Sequence, residues 1–299
     1  MSSAFSLDWE IKSSSAGKLI RHFLKEHEIS KTALTDIKFK GGKILVNGQE
    51  ENVRYILKVN DLLKVIFPPE ESSDGLKGEE IPLDILYEDE YLLIVNKPAN
   101  MNTIPSREHP AGSLANALVG YYQLRGILAT AHIVTRLDRD TSGIVLIAKH
   151  RHVHHLMSKQ QKAGKVNRMY EALASGGFFE DQGTVNRPIG RRSDSIIKRE
   201  VREDGQYACT HYRVIQRFKG CTHIELRLET GRTHQIRVHM AYLGHPLLGD
   251  DLYGGERSII QRQALHCKKL TFFHPFKETE MSLEAPMPHD MISILKRLS

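Results

Sequence analysis

Only three of the 299 residues are cysteine, Cys209, Cys221 and Cys267, and they lie far apart with no Cys-x-x-Cys pair. That spacing excludes a disulfide framework and a zinc ribbon and predicts buried, inert thiols. Long apolar runs are also missing, since none approaches the roughly 18 residues a membrane-spanning helix needs. The stretch from Met1 to Glu10 lacks the basic-then-apolar pattern of a signal peptide, so a cytoplasmic protein with no membrane partner is expected. There is no internal repeat, low-complexity tract, P-loop or G-x-G-x-x-G, which leaves no signature of a nucleotide cofactor.

What is present is ordinary globular composition, 40% apolar and 26% charged, with an uneven distribution of charge. Residues 71–90 hold one Lys or Arg against eight Asp or Glu, whereas residues 91–299 hold thirty against nineteen. A basic body of this kind favours a polyanionic partner. The acidic stretch overlaps Pro68-Pro69-Glu70-Glu71-Ser72-Ser73-Asp74-Gly75, poor in apolar residues and rich in turn formers, which marks a linker. The chain therefore divides into a module over 1–70, a linker over 71–82 and a larger domain over 83–299.

In the first part, Leu19, Ile20, Phe23 and Leu24 form a helical stripe within Ala16 to His27, and Ser30 is placed to cap a second helix. Strand-forming runs follow at Ile44-Leu45-Val46 before an Asn47-Gly48 turn, at Arg54 to Leu57 and at Leu62 to Phe67. In the second part, Tyr91 to Val95 and Gly143 to Ala148 read as strands, and Ser113 to Tyr122 and His152 to Lys162 as helices. The irregular alternation predicts an α+β fold: a mixed, largely antiparallel sheet flanked by helices, with a central cleft, plus a small N-terminal α/β module.

Three segments of the basic body carry chemistry. Thr135-Arg136-Leu137-Asp138-Arg139-Asp140-Thr141-Ser142-Gly143 sets a carboxylate between two arginines, whose charge favours an ionised nucleophile over a proton donor. From the residues alone, a salt-bridged loop is the alternative. Tyr170, after the basic turn Lys165-Val166-Asn167-Arg168, offers a flat face for stacking a base and a hydroxyl for proton transfer, or is simply a half-buried strand tyrosine. In Glu229-Thr230-Gly231-Arg232-Thr233-His234-Gln235-Ile236-Arg237-Val238-His239, Gly231 permits a sharp turn and Arg232 is placed to fix a carboxylate or phosphate. His234 and His239 are five apart with no acidic ligand beside them, so no metal site is expected.

In this order and separation, the three segments resemble the successive motifs of the RluA/RluD family of pseudouridine synthases. The resemblance extends through Asn96-Lys97-Pro98, Pro188-Ile189-Gly190-Arg191, Arg262-Gln263-Ala264-Leu265-His266 and His274-Pro275. It implies an enzyme that detaches uracil from its ribose, turns it and rejoins it through carbon 5, with no cofactor or metal. It assigns Asp138 as nucleophile, Tyr170 as the stacking and proton-abstracting aromatic, Arg232 as the partner of the aspartate, and Ile236 as a wall of the uracil pocket. Arg136, Leu137, Thr141 and His234 are the further substrate-binding candidates of these motifs, with Arg191 in a basic loop. The N-terminal order resembles the alpha-L RNA-binding module of a ribosomal protein, in which Lys31 and Lys43 would meet phosphates; a solvated lysine face is the alternative. The implied partner is ribosomal or transfer RNA, bound by a monomer, with DNA not expected.

Two rival readings remain at this level. A non-catalytic RNA-binding or ribosome-assembly factor would have no physical need of a carboxylate among phosphates. A glycosidase would need a second acid, which Asp140 could supply, but small sugars give no reason for a basic body.

Overall fold

The computed structural model describes residues 4–70, 75–127 and 129–298. The expected linker therefore lies partly outside the described residues, at 71–74.

Residues 6–66 build a four-stranded antiparallel sheet from β1 (Ser6–Glu10), β2 (Lys43–Val46), β3 (Gln49–Glu50) and β4 (Leu62–Ile66), in the order β1-β4-β2-β3. Helices α1 (Ile20–Glu26) and α2 (Lys31–Phe39) cover it. Ser30 caps α2 as its sequence predicts, its hydroxyl accepting from the Ala33 N–H at 3.1 Å. Asn47 and Gly48 take left-handed backbone angles and turn β2 into β3. Two expectations differ. The run Arg54 to Leu57 is no strand, because Asn52 accepts the Arg54 N–H and folds the segment into a turn, leaving one bridge between Leu19 and Ile56. Strand β1, unforeseen, pairs the full length of β4.

The larger sheet comprises β5 (Ile85–Glu88), β6 (Leu92–Lys97), β7 (His132–Ile133), β8 (Ser142–Ala148), β9 (Asn167–Ser175), β10 (Gln182–Asn186), β13 (Cys209–Phe218), β14 (Cys221–Leu228), β15 (Leu265–His274) and β16 (Thr279–Glu284). Its main path runs β10-β13-β14-β9-β15-β8-β6-β5, with β16 beside β15 and β7 beside β8. Among the described residues, β8 and β15 are the only neighbouring strands of this sheet that run parallel. Every residue of β8 is buried, which is why it reads as a continuous apolar run rather than an alternating one. A separate hairpin of β11 (Ile189–Arg191) and β12 (Arg199–Val201) stands beside it. Helices α3 (Leu114–Arg125), α4 (Arg151–Lys162), α5 (Gln235–Tyr242) and α6 (His289–Leu298) complete the body. Ser113 and Asn116 form a reciprocal capping box at the start of α3.

The small sheet is docked on the large one. Phe5 and Leu7 belong to the main hydrophobic core, and the Phe5 ring stacks on His150 at 3.9 Å. Lys159 pairs with Glu28 at 2.7 Å and Arg151 with Asp36 at 3.3 Å, while Glu70 accepts the Arg151 N–H and meets His132. All three cysteines are buried and unpaired. Among the described residues no helix is long and apolar enough to cross a membrane.

Candidate active site

The loop between β7 and β8 carries Asp138, and its backbone is fixed from three sides. Thr103 Oγ1 donates to the Leu137 carbonyl at 2.6 Å and accepts the Leu137 N–H at 3.2 Å. The buried Lys97 ammonium donates to the carbonyls of Pro98 and Met101 at 2.8 Å each and of Arg139 at 3.1 Å. Burial pulls the Lys97 pKa down to about 7, against the opposing pull of Asp140 and Asp138. Arg262 donates to the Asp140 carbonyl at 3.1 Å, and a turn returns the Thr141 N–H to the Asp138 carbonyl, also at 3.1 Å. Gly143 follows at φ +114°, where an added Cβ would lie 2.3 Å from the Cys267 carbonyl oxygen. Only glycine admits β15 that close to the loop.

Asp138 opens onto a pocket lined by Arg136, Leu137, Thr141, Arg168, Tyr170, Leu228, Gly231, Arg232, His234, Gln235, Ile236, Arg237 and Leu265. The structure thus gathers Asp138, Tyr170, Arg232, Arg136, Leu137, Thr141, Ile236 and His234, scattered over a hundred residues of sequence, around one cavity. Arg191, Lys31 and Lys43 do not line it: Arg191 is exposed on β11, and the two lysines are exposed on the N-terminal module.

The charge pattern around Asp138 differs from the sequence expectation in two respects. Its partner is Arg237, whose Nη1 donates to Asp138 Oδ2 at 3.2 Å. Arg232 instead turns its Nε to the Tyr207 carbonyl at 2.9 Å. The reason is local: α5 begins at Gln235, which puts Arg237 in its first turn and directs it inward, whereas Arg232 remains on the exposed loop before it. Second, the flanking arginines are not counter-ions. Arg139 points to the Asn100 side chain, and Arg136 is exposed at the pocket mouth with no carboxylate partner among the described residues.

Arg237 is itself anchored by the fully buried Asp250, through two 2.7 Å hydrogen bonds. Burial alone would ease its proton off, but Asp250 and Asp138 raise its pKa above the ordinary arginine value, so it is a permanent cation. Arg237 stands within the Glu229–His239 segment already singled out, yet two arginines five residues apart offer no means of choosing between them. The one available signal was the apolar flanks of Arg237, Ile236 and Val238, which mark an inward-facing site.

Tyr170, on β9, is 4% exposed, and burial holds its hydroxyl pKa well above the usual value despite the nearby Arg168. It is therefore a protonated phenol at neutral pH. Gly231 leaves room for Arg168, whose Nη2 lies 2.6 Å from where a Cβ would stand. One group of metal-ligating types exists among the described residues, Cys209, His211 and Glu229; it is outside the pocket lining, and His211 and Glu229 meet in a 2.8 Å hydrogen bond.

A carboxylate held by a buried arginine, beside a phenol and an apolar wall, in a pocket rimmed by arginines without carboxylate partners among the described residues fits an enzyme acting on a phosphate-bearing substrate. Comparison with known proteins makes this specific. Residues 91–242 match the RNA pseudouridylate synthase family. An uncharacterized RNA pseudouridine synthase of Bacillus subtilis, YjbO, is 53% identical over 277 residues, spanning 93% of this chain and 98% of that protein. The ribosomal large subunit pseudouridine synthase D of Xylella fastidiosa is 36% identical over 98% of this chain and 93% of its own, and that of Pseudomonas aeruginosa is 37% identical over 87% and 85%. The fold is shared with human RNA pseudouridylate synthase domain containing 4, at a TM-score of 0.59 and 24% identity over 72% of this chain and 92% of that one. The chain belongs to the RNA pseudouridylate synthase family and is an RNA pseudouridine synthase.

Proposed function

We propose that the enzyme isomerises uridines in structured ribosomal or transfer RNA, with large-subunit ribosomal RNA the first candidate, and that Asp138 is its nucleophile. The similarity to the ribosomal large subunit pseudouridine synthases D of Xylella fastidiosa and Pseudomonas aeruginosa supports the choice of RNA. The observation that carries the role of Asp138 is its contact with Arg237, which reaches one carboxylate oxygen, Oδ2, and leaves Oδ1 without a cation among the described residues.

Extruding a uridine costs on the order of a few kcal/mol, least in loops, and phosphate contacts offset it. Arg136, Arg168 and Arg232 line the pocket and supply such contacts, while Ile236 and Leu137 enclose the detached uracil against water. Asp138 then acts at the anomeric carbon, at carbon 6 of the ring, or in elimination to a glycal. Tyr170, a protonated phenol, walls the base and takes a proton from it only by passing its own on in the same step. Residues 1–70 act as an RNA-binding module, with Lys31 and Lys43 exposed for phosphates, and Arg191 on β11 offers a further phosphate contact of its own.

The test is Asp138→Asn expressed in cells lacking the native enzyme, with pseudouridine mapped in total RNA. The variant is expected to fold and bind RNA yet leave its target uridines unmodified. Restoration of the mark by the variant would overturn the assignment.

A further inference from the structure

We propose that His234 is a positioning residue for Asp138, presenting a neutral Nε2–H to Asp138 Oδ2, and that Tyr253 sets it in that state while tying it to the β11–β12 hairpin. The inference rests on Asp138 being the reacting carboxylate.

The geometry supports this placement of the protons. The Arg199 backbone N–H, at the start of β12, donates to Tyr253 Oη at 2.9 Å. His234 Nδ1 lies 2.8 Å from the same Oη. A hydroxyl has one hydrogen to give, and among the described residues His234 Nδ1 is the acceptor that meets it, so we assign that hydrogen to His234 Nδ1. The imidazole then carries its hydrogen on Nε2, and Nε2 is 4.0 Å from Asp138 Oδ2. Burial lowers the His234 pKa, with Arg237 and Arg199 assisting and Asp138 and Asp250 opposing, which keeps the ring neutral. A neutral donor orients a carboxylate without quenching its charge as a second cation would.

Two further features mark the position. His234 holds a left-handed backbone, φ 57°, at the entry to α5, an uncommon conformation for a residue other than glycine. The Tyr253 ring lies 5.0 Å from the Arg237 guanidinium and edge-on to His234 at 5.7 Å, so one side chain touches both groups that face Oδ2. The hairpin that holds Tyr253 through Arg199 also carries Arg191, Arg192 and Lys198.

Three measurements on the full-length enzyme test this. Nitrogen-15 spectra of the wild type should show His234 as the Nε2–H tautomer, and Tyr253→Phe should shift it toward a mixture; an Nδ1–H ring in the wild type overturns the proposal. His234→Gly accepts the backbone angle without strain, so its effect reports the imidazole alone. Its single-turnover rate on saturating RNA should fall between about tenfold and a hundredfold, the factor carried by a hydrogen bond to a charged group, with RNA affinity changed less than about twofold. Loss of affinity at an unchanged rate overturns the positioning role. His234→Asn tolerates the same angle, restores an N–H donor and should recover part of the rate. An active Asp138→Asn enzyme would overturn both readings, whereas an inactive one beside a fully active His234→Gly would overturn only this one.

Discussion

Arg237 Nη1 stands 3.2 Å from Asp138 Oδ2, although 99 residues separate the two in the chain. Because the same guanidinium is clamped by Asp250, removing it strands a buried carboxylate as well as the catalytic candidate. Arg237→Met should therefore abolish pseudouridine formation and lower stability by about 3–5 kcal/mol. Arg232→Met should retain stability and lose mainly RNA affinity. Parallel thermal denaturation and RNA binding of the two variants decide it, and equal loss of stability in both would refute the assignment.

Gly143 should admit no side chain. Its positive φ and the Cys267 carbonyl only 2.3 Å from an added Cβ mean that Gly143→Ala must push β15 off β8 beside the Asp138 loop. A stability loss of more than about 2 kcal/mol is expected from strain and repacking together. A folded variant with wild-type thermal stability would show that the close approach is not required.

Stability should fall with mild acid. Burial lowers the pKa of His150 and of His152 from 6.5 to about 4, so both stay neutral in the fold while the unfolded chain takes up protons near 6.5. The unfolded state then binds more protons between these values, and stability is full above pH 6.5 and is lost as pH drops toward 4. Each group contributes about 1.4 kcal/mol per pH unit in that window. His152→Phe, which keeps the ring packing on Phe67, should flatten the difference in denaturation midpoint between pH 7 and 5, two settings on the order of the window's width. An unaltered pH slope would refute the attribution.

Lys31, Lys38, Lys40 and Lys43 are exposed on the N-terminal module. Replacing all four with alanine should weaken RNA binding and make its dependence on salt concentration shallower by up to about 3 in log–log slope, since each phosphate contact releases a counterion. Arg151 and Lys159, paired with Asp36 and Glu28 of the module, serve as the comparison, and Lys40, which also pairs with Asp36 at 2.9 Å, should contribute least of the four. An unchanged slope after the four lysine replacements would mean that the module does not grip phosphates.

By itself the sequence determined the elements whose signals are local. Ser30 and Ser113 cap helices because a hydroxyl meets orphan N–H groups one turn on, and β8 is readable because full burial demands an unbroken apolar run. The motif resemblance also proposed Asp138, Tyr170 and Ile236 as members of one site, and these three line one pocket together with residues it did not assign to that site, such as Arg168, Leu228 and Arg237. Tertiary structure alone decided who touches whom. Ion pairing depends on distance through space, so Arg237 rather than Arg232 or the adjacent Arg139 meets Asp138, a choice made by the start of α5 and the buried anchor Asp250. The same holds for His234: its place in the motif was legible, but which nitrogen faces Asp138 follows from Tyr253 and Arg199, which only folding brings to it.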